Sequence, residues 1–231
     1  MIDGRKVLGL IVGRGGSKGL PRKNVLDLGG RPLVAWSVLA GKGARFIDRL
    51  VLSTDDDEIV DAARSAGCDV PFRRPDALAG DTAGMREVVV HALDNLDEAY
   101  DLLVLLQATS PLRSSADIDD TIELCVRTNA HSCLTVTAAP KAPEWMYHLA
   151  EDGSLEPVLK EAAEATRRQD LRPAYVPNGA VYVVDVEWFR QSGKFLVAGT
   201  HALVMPPERS VDIDSRLDLL LARAILAEKL I

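Results

Sequence analysis

Residues 6–24 read Lys-Val-Leu-Gly-Leu-Ile-Val-Gly-Arg-Gly-Gly-Ser-Lys-Gly-Leu-Pro-Arg-Lys-Asn, an apolar run that ends in a glycine-rich basic loop. An unbroken apolar run without polar alternation predicts a strand covered on both faces. Outward from it, apolar runs and helical patterns alternate. Helices are expected over 32–39, 56–66, 82–96 and 116–126, and strands over 50–52, 70–72, 102–106 and 132–137. The run Leu102-Leu103-Val104-Leu105-Leu106 is the strongest central-strand signal. This rhythm predicts a three-layer, doubly wound α/β fold with a mainly parallel sheet.

Residues 140–177 break the rhythm with five prolines, the neighbouring aromatics Trp145 and Tyr147, and an Ala/Glu/Arg-rich helical piece over 159–168. They are expected to form a small insertion in one domain spanning 1–231. The regular pattern resumes over 180–186, with a short strand at 204–205. A closing helix over 215–230 is expected to bury Leu217, Leu220, Leu221, Ala224 and Ile225.

Lys and Arg number 27 against 34 Asp and Glu, a net charge of −7. That balance argues against non-specific nucleic-acid binding, which needs a dominant positive field. No run reaches the ~18–20 apolar residues of a membrane span, and no secretory apolar region precedes Arg14. Cys68, Cys125 and Cys133 are scattered and in no metal-ligand spacing. A cytoplasmic protein with buried free thiols is expected.

Ligands of such sheets bind beyond the carboxyl ends of strands, so the loop after Val12 is the first place to look for chemistry. Between Gly4 and Leu26 lie six basic residues and no acidic one. Four glycines over 13–19 let backbone N–H groups approach an anion. Charge-assisted hydrogen bonds contribute ~1.5–3 kcal/mol each, so a polyphosphate explains the concentration of charge; a solvated surface turn is the plainer alternative. A dinucleotide-type G-x-G-x-x-G fails at Lys18, and a Walker A loop fails because Ser17-Lys18-Gly19 has the wrong order.

The segment from Ile11 to Asn24 resembles the N-terminal signature of the sugar-nucleotide cytidylyltransferases, in particular the acylneuraminate (CMP-sialic acid) synthetases. It departs from that signature at Gly13, where alanine is usual. The resemblance implies a Rossmann-like nucleotidyltransferase fold. It implies that Arg14 and Lys18 hold the triphosphate of CTP and act in catalysis, with Lys23 in support. Gly15, Gly16, Ser17 and Asn24 would complete the nucleotide-binding loop.

Four further segments extend the resemblance. Arg73-Arg74-Pro75 leading to Leu78-Ala79-Gly80-Asp81 implies that Arg74 reads the cytosine edge, with backbone contacts from Ala83. Gln107-Ala108-Thr109-Ser110-Pro111-Leu112-Arg113 implies that Gln107 binds the sugar; Thr109 and Ser110 read equally well as turn-forming hydroxyls. Arg168-Gln169 and Asn178-Gly179-Ala180 imply that Arg168, Gln169 and Asn178 meet the sugar acid, with Asn178 alternatively a turn residue. Phe195 is a candidate wall of the sugar pocket, and Tyr182 reads as core.

Asp212 and Asp214 stand two apart before the closing helix, so in extended backbone their carboxylates face the same side. Paired carboxylates beside a triphosphate suit Mg²⁺, and the resemblance assigns both to that metal, with Asp214 in catalysis. The competing reading makes Asp214 a helix cap. Taken together, the segments imply transfer of CMP from CTP to a nine-carbon α-keto sugar acid, in a homodimer formed through the insertion. The alternatives are a Kdo cytidylyltransferase and a nucleotide-binding regulatory protein. Intact acids at 212 and 214 argue against the second, and the 168–169 and 178–180 segments against the first.

Overall fold

The computed structural model describes residues 1–159, 167 and 170–230. Its centre is a six-stranded sheet built from β1 (Val7–Val12), β4 (Arg49–Ser53), β5 (Leu102–Gln107), β6 (Ser132–Ala138), β9 (Tyr175–Asp185) and β10 (His201–Val204). Their spatial order is β10-β6-β9-β5-β1-β4. β1 pairs in parallel with β4 and β5, and β10 in parallel with β6. β9 runs antiparallel between β5 and β6. The sheet is therefore mainly parallel, as expected, with one reversed central strand that apolar content alone does not distinguish.

Two apolar layers hold the sheet. α1 (Leu33–Gly43), α2 (Asp57–Ser65) and α4 (Ser115–Thr128) cover one face through Val34, Val38, Ile59, Ile118 and Ile122. α3 (Met85–Asp94) and α5 (Val186–Ser192) cover the other through Val88, Val89, Leu93 and Phe189. Each such side chain contributes roughly 1.5–3 kcal/mol when fully buried, so both faces must be covered. The three cysteines are buried and free.

Several boundaries differ from expectation. The 70–72 piece is no strand; just before it, Asp69 makes a single bridge to Val51. Asp27–Leu28 (β2) and Arg31–Pro32 (β3) form a small hairpin that places Pro32 just ahead of α1. Within the insertion, β7 (Tyr147–Leu149) and β8 (Leu155–Pro157) form a second hairpin. The helical piece expected over 159–168 falls largely outside the described residues.

The closing helix α6 (Arg216–Ala227) exists but is turned. It buries Leu219, Ala222 and Ile225, whereas Leu217, Leu220 and Leu221 are half or more exposed. Leucines on both sides of the helix allow two phases. The capping box of Ser215 and Asp218 starts the helix, and its inner face packs with Leu28, Leu33 and Leu112.

Candidate active site

The parallel strands β1, β4 and β5 end side by side, Val12 opposite both Ser53 and Gln107. Beyond their ends lies a cleft of about 270 Å³, bordered by Arg14, Ser17, Lys23, Asn24, Arg74, Gln107, Asp212 and Asp214 among others. Residues nearly two hundred positions apart thus face one space.

The loop after β1 is braced from below. Gly15 N–H donates to Asp55 Oδ1 (3.2 Å), and Arg22 straps the loop to Asp56 and Glu58 at the start of α2. Asn24 Nδ2 donates to Arg14 O (2.9 Å), while its buried Oδ1 has no partner among the described residues. Gly16 faces open space.

Arg14 and Lys18 close on a single carboxylate, Arg14 Nη1 at 3.0 Å from one oxygen of Asp81 and Lys18 Nζ at 2.5 Å from the other. Lys18, with Arg14 beside it, holds the Asp81 carboxyl below its usual range. One anion already bridges both cations, so the pair is spaced for an anionic ligand. Asp81 lies in a segment singled out for its likeness, yet no role attached to it; its spacing from the loop appears only in three dimensions.

Arg74 is 4% exposed. Its Nε donates to Ser53 Oγ (3.1 Å) and its Nη2 to Gly13 O (3.0 Å) and Ser53 O. Burial pulls it down to about 10, Asp55 partly offsetting this, so it is cationic at neutral pH. The carbonyl ends of β1 and β4 hold one edge of the guanidinium; Nη1 makes no hydrogen bond among the described residues, and the side chain borders the cleft. That arrangement suits a fixed donor to a base.

The twin acids arrive from the opposite side. Ile213 N–H donates to Thr109 O (2.8 Å), seating the segment on the end of β5. Asp212 borders the cleft, and its buried Oδ1 has no partner among the described residues. Burial pushes its carboxyl up; a hydrogen bond from Thr109 opposes this and the charge of Asp214 reinforces it. Asp214 is not a cap, because Ser215 takes that role. Its Oδ1 pairs with Lys23 Nζ at 2.8 Å.

A buried, unpartnered carboxylate oxygen next to a second acid fits a divalent cation. No group of three or more His, Cys, Asp or Glu side chains among the described residues could hold one alone. A cation here would draw its remaining oxygens from a phosphate ligand, which suits Mg²⁺.

Loop and acids also touch directly. A Cβ added at Gly19 would lie 2.7 Å from Asp214 O, a backbone atom. Gly19→Ala is therefore expected to part the two segments and lower kcat/KM by about tenfold or more, since ångström-scale misplacement costs up to ~10²-fold. Unchanged kinetics in a folded variant would mean that the contact is incidental.

The remaining candidates separate. Gln107 borders the cleft, its backbone O accepting from Ser37 and Arg113. Arg113 is buried beneath it, pulled down to about 9 by burial. Ala83 is half-buried and does not border the cleft. Asn178 is turned inward: Oδ1 accepts from Thr135 Oγ1 (2.6 Å) and Ala180 N–H (3.2 Å), and Nδ2 donates to Ser210 Oγ (2.9 Å). Its amide is so occupied and the residue only 5% exposed, and it braces the segment around Ser210 from within. Phe195 likewise borders no part of the cleft, packing instead against Tyr182 and Phe189 at ring distances of 5.5 and 4.7 Å. Arg168 and Gln169 lie outside the described residues.

A family model described as cytidylyltransferase matches residues 8–170. The chain is 30% identical over 226 residues to CMP-N,N'-diacetyllegionaminic acid synthase of Legionella pneumophila, covering 96% of each protein. It is 31% identical over 225 residues to N-acylneuraminate cytidylyltransferase of Escherichia coli, covering 97% of this chain and 53% of that protein, so it spans about half that relative's length. A solved structure of CMP:2-keto-3-deoxy-manno-octonic acid synthetase complexed with CTP shares the fold, with a TM-score of 0.74 at 14% identity, covering 97% of this chain and 99% of that one.

Proposed function

The chain belongs to the cytidylyltransferase family, and on that premise we propose that it transfers CMP from CTP to the anomeric hydroxyl of a nine-carbon α-keto sugar acid, releasing pyrophosphate. The likeness to the legionaminic acid synthase over nearly the whole of both chains supports the acceptor class. The observation that carries the reading is the meeting of Arg14, Lys23, Asp212 and Asp214 around one cleft.

In this reading the sugar hydroxyl attacks the α-phosphorus and pyrophosphate leaves. Catalysis is mainly positioning and charge neutralisation. Arg14 and Lys18 meet the charge that develops on the leaving pyrophosphate, and Lys23 supports them from below. Gly16 offers a backbone donor, while the Gly15 and Ser17 N–H groups, donating to Asp55 Oδ1 and Gly15 O, shape the loop around it, and Arg74 offers its Nη1 to the O2/N3 edge of cytosine. Asp212 and Asp214 would hold Mg²⁺, which when bound neutralises phosphate charge and orients the triphosphate. Gln107 would face the acceptor, Arg168 would pair with its carboxylate, and Gln169 would serve as a neutral donor and acceptor beside the sugar.

Pyrophosphate release with CTP and a panel of sialic, legionaminic and pseudaminic-type acids plus Kdo, with and without Mg²⁺, tests the reading. Turnover is expected with CTP and a nine-carbon acid only when the cation is present. Preference for ATP or UTP would overturn the base assignment, preference for Kdo the acceptor class.

Asp81 occupies the cations that the triphosphate would need. Asp81→Asn should therefore lower KM for CTP, by about twofold to fivefold, the scale of exposed ion pairs. A raised KM would make Asp81 a substrate-positioning group instead.

We also propose a homodimer through the insertion. Tyr147, Leu149 and Leu155 on its hairpin are 50–73% exposed, an apolar surface suited to a second copy. Sedimentation at about micromolar concentration, where specific interfaces hold, should give a dimer for the wild type and a monomer for Leu149→Asp. A wild-type monomer would contradict this.

A further inference from the structure

The twin acids sit in a segment, 210–214, that belongs to no helix or strand. Something other than a backbone ladder must fix the direction of Asp212. Arg209 Nε and Nη2 donate to the two oxygens of Asp117 at 2.9 and 2.8 Å. Asp117 is buried in the first turn of α4, where it also accepts from Ser114 N–H (2.8 Å) and Oγ (2.7 Å). Ser210 Oγ accepts from Asn178 Nδ2 (2.9 Å) and donates to Pro206 O (2.8 Å). Asn178 is in turn held from the sheet by Thr135, at the irregularity between Leu134 and Val136 where the β6–β9 register shifts. After Asp212, Ile213 is tied to Thr109.

We infer that Arg209 and Asn178 are positioning residues that keep Asp212 directed into the cleft, Arg209 by its two-pronged grip on Asp117 and Asn178 through Ser210. The inference rests on the reading that Asp212 and Asp214 hold a divalent cation. Two like charges two residues apart, one of them buried, would drive an untethered segment towards water. A guanidinium fork on a carboxylate fixes orientation as well as position, and α4 gives it a rigid base. Asn178 adds a second tether from the sheet. Outer partners of metal ligands typically change metal affinity ~10–100-fold when removed.

The test uses the full-length protein with Arg209→Lys, which keeps the charge but loses the fork, and Ser210→Ala, which touches neither ion. Mn²⁺ binding in the presence of CTP is read by paramagnetic resonance, CTP binding without metal by calorimetry, and amide exchange over 210–214 in metal-free protein. Arg209→Lys is expected to weaken Mn²⁺ binding about tenfold and Ser210→Ala by less. Exchange over 210–214 should accelerate in both, with metal-free CTP affinity within about twofold of wild type. Unchanged Mn²⁺ affinity and unchanged exchange in the folded variants would overturn the inference. Should Arg209→Lys fail to fold, Ser210→Ala decides alone. A wild type that binds no Mn²⁺ with CTP would sink the metal reading, and the exchange data would still decide whether these residues hold the segment.

Discussion

Asp212→Asn is expected to lower turnover about 10²–10³-fold, the scale for loss of a preorganised charge contact, while raising the thermal midpoint of the metal-free protein. The two effects have one source. Asp212 is buried, its Oδ1 lacks a partner among the described residues, and Asp214 stands two residues away. Burial chiefly raises the carboxyl's pKa in the folded state. The unfolded chain therefore loses this proton at lower pH than the folded chain. Stability falls as pH rises from the unfolded value to the folded one, and the full penalty is present at neutral pH. Asparagine keeps the shape without the charge. In a chain of this size each ~1 kcal/mol so relieved moves the midpoint about 2–4 °C.

Thermal unfolding with a chelator, beside steady-state pyrophosphate release, checks both halves. Adding CTP and Mg²⁺ should raise the midpoint of the wild type more than that of the variant, since only ligands that bind the folded state stabilise it. A variant with unaltered turnover and a lower midpoint would remove Asp212 from the metal and leave it a structural acid.

Arg14→Ala carries the second large effect. Each charge-assisted contact to phosphate contributes ~1.5–3 kcal/mol, or about 10–150-fold in rate when it strengthens in the transition state. Lys18→Ala should act similarly, and the double variant should lose more than about 10³-fold in kcat/KM, with kcat falling along with affinity. Arg73→Ala provides the control: Arg73 is exposed, pairs with Asp57 and does not border the cleft, so it should stay within about twofold. A uniform loss in all three single variants would point to general electrostatic attraction of CTP rather than a located site.

The site was legible in the sequence where chemistry is concentrated in short runs. The loop over 13–24 and the acids at 212 and 214 carry their meaning in residue type and spacing, and the cleft brings them to the same strand ends. Arg74 was recognisable as a candidate, although its strapping by Ser53 and Gly13 required the fold. What could not be read depends on direction. The reversed β9 has the same apolar content as a parallel strand. α6 offers leucines on two faces, and only packing against Leu28 and Leu33 selects the one that is buried. Asn178 next to Gly179 looks the same whether its amide faces a sugar or Ser210. Asp81, Arg209 and Asp117 acquire roles solely through partners distant in sequence.

The most direct test of the central claim is a crystal structure of the protein with CTP and Mn²⁺, with the metal located by its anomalous signal. The account predicts one triphosphate touched by Arg14 and Lys18, with the Mn²⁺ peak at coordination distance from Asp212 or Asp214 and from a phosphate oxygen. A nucleotide bound away from the loop after β1, or a metal peak apart from both acids, would contradict it.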